Sequence, residues 1–541
     1  MKRWCWVLAV LVACGSSPKP PPPKPVVEVS ILYGSEEKAW LDEQVAVFNA
    51  SGAKLADGSP IHVRAKPVGS GEGLTAIVDG TEHPTVFSPA SSAYLTLLNQ
   101  QWLAKNAKPV SGAAEPLALS PVVIAMWKPM AEALGWPEKP IGWADILAVA
   151  RDPKGWGAYG RPEWGPFKLG HTNPEYSSSG LLSVLAIAYA GAKTTRGLTD
   201  ADLPKIEPML AGVEDSIVHY GKSTGFFADK LVANGPDYLS AAVLYENLVI
   251  ESYDKHPPMP IVAIYPVEGT FWSDHPFSVL DAPWVTPQQR EGALLLLAAL
   301  KGKPAQQRAL ALGFRPVDAS IAIGAPIDAA HGVDPKQPQT LLEIPGAQML
   351  GALVEAWKQT KKPADVVLVL DKSGSMAGRP LDEAKAGAKA FLATLDPRDQ
   401  ITLEFFDAVV YPPVGPLTVK DARAELESRI DGVSAGGGTA LYDATAVATK
   451  LLMDPKRAGA HRIRAIVVMT DGQDTDSHAG LAETKLAIAA EGHRATVFTI
   501  GYGAEPSEDV LTQLATAGDG AFSRGNVDTI VGLFRDMAAF F

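Results

Sequence analysis

Cysteine is nearly missing from this chain: two in 541 residues, Cys5 and Cys14, both within the first fourteen positions. The remaining length therefore folds without a disulfide. Clusters of basic residues are also missing. With a formal net charge of -12, nothing supplies the cationic face that phosphate backbones require, which excludes a nucleic-acid partner. The apolar run Trp4 to Ala13 is too short to span a bilayer. Catalytic signatures are lacking too. There is no His-Glu-x-x-His, the ten histidines do not fall at metal-ligand spacings, and Gly221-Lys222-Ser223-Thr224 has Ser216 where the leading glycine of a phosphate loop belongs. Neither zinc chemistry nor nucleophilic catalysis is suggested, so binding is expected rather than an enzyme activity.

What is present begins with an address. Lys2 and Arg3 precede the short apolar run, the arrangement of a secretory signal. Leu11-Val12-Ala13-Cys14-Gly15 resembles a bacterial lipobox, and the resemblance implies that Cys14 is acylated after cleavage, tethering the chain to a membrane. Residues 1–14 are then the lipoprotein signal peptide. Residues 15–27 form a linker whose Pro18 to Pro25 stretch is an extended spacer. The expected location is a membrane-anchored lipoprotein in the periplasm or at the cell surface.

Residues 28–345 alternate short apolar strands with amphipathic helices, an α/β pattern. Val29 to Tyr33 predicts a strand, and Glu37 to Phe48 a helix with Trp40, Leu41, Val45 and Phe48 on one face. Hydroxyl-rich turns recur at Ser35, at Ser70 between Gly69 and Gly73, at Ser88 and Ser91, and at Ser178 and Ser179. Each alone is an ordinary helix cap. Together, converging hydroxyls and helix N-termini suit a small solute or oxyanion. Leu169-Gly170-His171-Thr172-Asn173-Pro174 leading into Ser178-Ser179-Gly180, together with Tyr245-Glu246-Asn247, Tyr265 to Thr270 and Gly313-Phe314-Arg315-Pro316, resembles the two-lobed extracellular solute-binding proteins, particularly the branch that handles oxyanions. That resemblance implies a ligand between two lobes, with the six serines and Tyr245 as its candidate contacts. It also implies two chain crossings, expected at Pro121 to Met126 and Ile261 to Tyr265. Trp143, Trp156, Trp164 and Trp272 are expected to fill core or rim volume.

A linker, helical around Ala347 to Gln359, is expected over residues 346–362, and a second domain over 363–541. There the apolar runs Val366 to Leu370, Ile401 to Phe406, Ile463 to Met469 and Thr496 to Ile500 alternate with helices Leu381 to Thr394, Ala440 to Met453, Leu481 to Ala490 and Val527 to Phe541. This predicts a doubly wound, Rossmann-like parallel sheet, whose ligands bind beyond the C-terminal strand ends. Asp371-Lys372-Ser373-Gly374-Ser375 follows the first strand, Thr439 follows Gly436-Gly437-Gly438, and Thr470-Asp471-Gly472 follows the strand ending at Met469. Read alone, Asp-x-Ser-x-Ser is a turn that caps the next helix. With Thr439 and Asp471 it becomes an oxygen-donor set for a hard cation, Mg²⁺ or alternatively Mn²⁺ or Ca²⁺. The five residues resemble the metal-ion-dependent adhesion site (MIDAS) of the von Willebrand factor A family. This implies Ser373, Ser375 and Thr439 as ligands, Asp371 and Asp471 holding coordinated water, and a last position open to an acidic side chain of a protein partner. The sequence as a whole predicts an exported, lipid-anchored binding protein. The alternative is the substrate-binding component of an ABC-type transporter, with the second domain as its docking module.

Overall fold

The structure is a computed structural model, and it describes residues 24–458, 461–490, 495–502, 507–526 and 529–541. Cys14 and the signal segment lie outside the described residues.

The first domain is two lobes, each around its own sheet. Lobe 1 pairs Val27–Gly34 in parallel with Ile61–Val68 and Val86–Ser88, and adds Pro276–Val279 and Glu115–Pro116 antiparallel. Lobe 2 is organised on Ala118–Trp127, whose partners include Ala241–Tyr245, Ile261–Ile264, Trp272–Ser273 and Arg315–Pro316. Leu169–Thr172 and Ile217–Gly221 complete that sheet. The first crossing falls between Glu115–Pro116 and Ala118–Trp127, next to the expected place. The return does not. Ile261–Ile264 is an internal strand of lobe 2, and the chain goes back at Trp272–Ser273 to Pro276–Val279, crossing once more into Arg315–Pro316. An apolar run marks a buried strand without saying which sheet it joins, and this is why the return was misplaced. Trp143 and Trp156 are buried core residues, as expected.

In the second domain six strands lie in the order Val414–Thr418, Gln400–Phe406, Ala364–Asp371, Ile463–Thr470, Thr496–Tyr502 and Phe522–Gly525. All pairs are parallel except the first, an antiparallel edge. The central strand is buried on both faces, which explains its unbroken apolar run. Val366, Leu368 and Leu370 join one layer with Phe391 and Phe534, while Val367 and Val369 join another with Leu441, Ala444 and Leu511. Period-two alternation thus serves two helical layers.

The expected helical linker is a helix over Ala347–Thr360. Its buried residues Met349, Leu350, Leu353, Ala356 and Trp357 recur at helical spacing. Trp357 meets Tyr220 of lobe 2 edge to face at 5.2 Å. The amide of Tyr220 donates to Phe540 O at 3.2 Å, the side-chain amide of Asn173 donates to Ala539 O at 3.2 Å, and Lys362 Nζ donates to Ile217 O at 2.8 Å. The second domain is therefore seated on lobe 2, and one apolar cluster runs through both.

Candidate functional site

Adjacent parallel strands of the second domain end together, and that places the two predicted carboxylates at one sheet edge. Leu370 pairs with Met469 in register, so Asp371 and Asp471 emerge side by side. The Asp371 carboxylate accepts from the Ser373 amide at 2.7 Å and from the Thr470 hydroxyl. Ser373 Oγ lies 3.1 Å from Ser375 Oγ, whose hydroxyl donates to Asp471 Oδ1 at 2.8 Å. Four of the five predicted residues are thus joined by hydrogen bonds, Asp371 through the Ser373 amide and the other three through their side-chain oxygens. The loop bearing Thr439 is tied to them through its backbone. Gly374 N donates to Gly437 O at 3.0 Å, and Gly436 N donates to Lys372 O at 2.8 Å. The Thr439 hydroxyl lies 3.5 Å from where a side chain on Gly472 would begin.

The electrostatics of this edge fit a cation. Asp371 is almost fully buried, and burial pushes its carboxyl up from the ordinary value, opposed by the Thr470 and Ser373 hydrogen bonds. Burial pushes Asp471 up as well, opposed by Ser375. Lys372 is turned away into an ion pair with Asp407, under the ring of Tyr411. Two partly desolvated carboxylates beside three hydroxyls are left to share negative charge, and this donor set suits a hard divalent ion. Sequence reasoning missed Thr470, Lys372 and Asp407. Thr470 precedes the aspartate it supports, and its signal was only that adjacency. Asp474 and Asp476 were missed as well. They brace the neighbouring loop through Tyr442 N at 3.2 Å and Thr439 N at 3.0 Å.

In the first domain the lobes are shut on one another. Gly71 N donates to Tyr176 O at 2.9 Å, Tyr94 hydroxyl donates to Pro174 O at 2.5 Å, and Ser178 Oγ donates to Ser70 Oγ at 2.8 Å. Ser179 bonds Thr172 and Thr224 at 2.7 and 2.8 Å, Ser35 Oγ accepts from Gly225 N at 3.3 Å, and Ser91 Oγ accepts from Ala93 N at 3.3 Å. Of the predicted serines, Ser35, Ser70 and Ser178 thus meet at the seam and are spent on closing it, while Ser179 and Ser91 bond within their own lobes. Ser88 Oγ and the Tyr245 hydroxyl are buried with no hydrogen-bond partner. Three groups the sequence reading did not count stand beside them: Glu36, Glu37 and His275. His275 Nδ1 lies 3.4 Å from Glu36 Oε1 and 3.5 Å from Glu37 Oε1. Burial opposes its protonation, yet the two carboxylates outweigh burial and raise the imidazole to about 10. Burial drives Glu37 upward, against the pull of His275.

Among the described residues no helix is long and apolar enough to cross a membrane. The family described as von Willebrand factor type A domain matches residues 365–535. An uncharacterized protein of Synechocystis sp. is 28% identical over 161 residues, 30% of this chain and 37% of that protein. Human inter-alpha-trypsin inhibitor heavy chain H4 is 30% identical over 178 residues, 31% of this chain and 19% of that protein. The chain thus spans well under half the length of these curated relatives. Among solved structures, the periplasmic binding protein AfuA of Actinobacillus pleuropneumoniae covers 63% of this chain and 99% of its own, at 14% identity and a TM-score of 0.43. A von Willebrand factor type A protein of Catenulispora acidiphila covers 33% and 42%, at 23% identity and a TM-score of 0.30. The family described as bacterial extracellular solute-binding protein matches residues 29–315, more than half of the chain. This protein accordingly belongs to the bacterial extracellular solute-binding protein family, and it carries a von Willebrand factor type A domain after its solute-binding unit.

Proposed function

We propose that the protein is an exported, lipid-anchored binding protein whose second domain captures an acidic protein partner through a divalent cation, while its first domain holds a small solute. The observation that carries this reading is the hydrogen-bonded set Asp371, Ser373, Ser375 and Asp471 at the open end of the sheet, with the neighbouring Lys372 paired to Asp407 instead. Ser373, Ser375 and Thr439 would hold the ion directly, with Asp371 and Asp471 bonding from behind. Once bound, the ion supplies an electrophilic position that a partner's carboxylate can fill. Cys14 would supply the lipid anchor.

The test is calorimetric titration of the protein with Mg²⁺. Saturable binding is expected, abolished in Ser375→Ala and Asp471→Ala while their thermal melts stay close to the parent. Unchanged Mg²⁺ binding in both variants would refute the metal site. Loss of folding in both would show that these residues are structural instead.

A further inference from the structure

The buried polar cluster at the seam between the lobes is a different kind of site from the one its serines suggest. Seven of its buried polar atoms lack a hydrogen-bond partner: Glu36 Oε1, both Glu37 carboxylate oxygens, Ser88 Oγ, Tyr245 Oη and both His275 ring nitrogens. Buried polar groups are nearly always satisfied, so a cluster of unsatisfied ones marks a place where something else belongs. These groups form one locality. Tyr245 faces His275 at 6.1 Å, His275 N donates to Ala90 O two residues beyond Ser88, and the Asn247 side-chain amide donates to Glu36 O at 3.4 Å.

Charge decides what the occupant is. The cations around the seam are already engaged. Lys38 pairs with Asp42, Lys222 with Glu72 and Asp536, Lys255 with Asp229 and Glu251, and Arg315 grips Glu246 with two nitrogens. That leaves one imidazolium against two carboxylates. An oxyanion entering here would meet negative charge that one imidazolium, at ion-pair distance from both carboxylates, does not balance, and three of the seven atoms without a hydrogen bond are carboxylate oxygens, which only accept. The occupant must therefore donate. Among the described residues no group of three or more carboxylate, imidazole or thiolate side chains has the arrangement of a metal site, so a donor with hydrogens fits better than a bare ion.

We infer that this interlobe cluster takes a small solute bearing an ammonium group, held by Glu36 and Glu37 and oriented by Tyr245 and Ser88. This rests on the reading of the first domain as a solute binder and narrows its ligand class. It replaces the oxyanion that the serine turns alone suggested.

Titrating the full chain separately with ethanolamine, 1,4-diaminobutane, sulfate, phosphate and glucose tests it. Saturable binding of an amine is expected. Each lost charged hydrogen bond should weaken it about ten-fold or more in Glu37→Gln and Glu36→Gln, and Tyr245→Phe should weaken it less. If Glu37→Gln does not fold, Glu36→Gln carries the test. Amine binding untouched by the glutamate variants would overturn the inference. Binding of sulfate, phosphate or glucose without amine would also overturn it, leaving the solute-binding reading in place. If no probe binds and native mass spectrometry of the gently purified chain shows no retained solute, both readings fall.

Discussion

The two sites use nearly the same ingredients, two carboxylates among hydroxyls, and arrive at opposite states of readiness. At the sheet edge the oxygens are bonded to one another, and their positions follow from the strand register that pairs Leu370 with Met469. Between the lobes the key oxygens carry no hydrogen bond; the two carboxylates meet His275 within lobe 1, and Tyr245 of lobe 2 stands against them across the seam. One site is built by local backbone geometry and is present whether or not it is filled. The other is completed across the seam, where Tyr245 of lobe 2 joins Glu36, Glu37, Ser88 and His275 of lobe 1.

Holding the lobes apart would break this contrast most completely. A methyl group on Gly71 would sit 1.8 Å from Glu175 O and 2.6 Å from its carbonyl carbon, both backbone atoms that cannot give way. Gly71→Ala is expected to hold the lobes open, increasing the radius of gyration by small-angle scattering and removing solute binding, with Mg²⁺ binding unchanged. Next in size is a control on burial itself. Glu404 lies in the same sheet as Asp371, buried with both oxygens unpartnered, and burial lifts its carboxyl to about 8. The unfolded chain releases that proton near pH 4, at about 4.3, and the folded chain near 8. Stability should therefore fall as pH rises through that window. Glu404→Gln is expected to flatten the decline, raising the melting temperature at pH 8 more than at pH 5. Asp371, supported by donors, is expected to show no comparable gain on conversion to Asn.

Two smaller effects sharpen the comparison. Thr470→Val removes the hydroxyl that supports Asp371 and should weaken Mg²⁺ about ten-fold, as outer supporting groups commonly do, with little change in melting; calorimetry decides. Lys222, partly exposed, joins Glu72 of lobe 1 at 3.2 Å and Asp536 of the second domain at 2.8 Å. Lys222→Met should cost at most about 1 kcal/mol in denaturant unfolding.

Much of the metal edge was legible in the sequence because each element announces itself locally: an apolar run, then Asp-x-Ser-x-Ser, then Thr-Asp-Gly after another run. The strand ends had only to be parallel for the residues to meet. The edge strand Val414–Thr418 escaped because it is short and little buried, with no continuous apolar run. The seam cluster escaped for a deeper reason. Glu36 and Glu37 stand at the start of a helix, where acidic residues are ordinary, and His275 resembles a packing residue. Only the tertiary fold, which brings all three together and buries them, turns them into a site. The linker helix was legible as a helix, but nothing local showed what Trp357 would pack against.

The seating of the second domain on lobe 2 has a mechanical meaning. A pull exerted by a captured partner at the sheet edge would enter the parallel strands. It would then pass to the segment ending in Phe540 and Phe541, which is tied to Tyr220, Asn173 and Lys361. Load would therefore run directly into the body of the solute-binding unit, bypassing any slack tether. A firmly held partner would strain the same lobe that must swing to admit a solute.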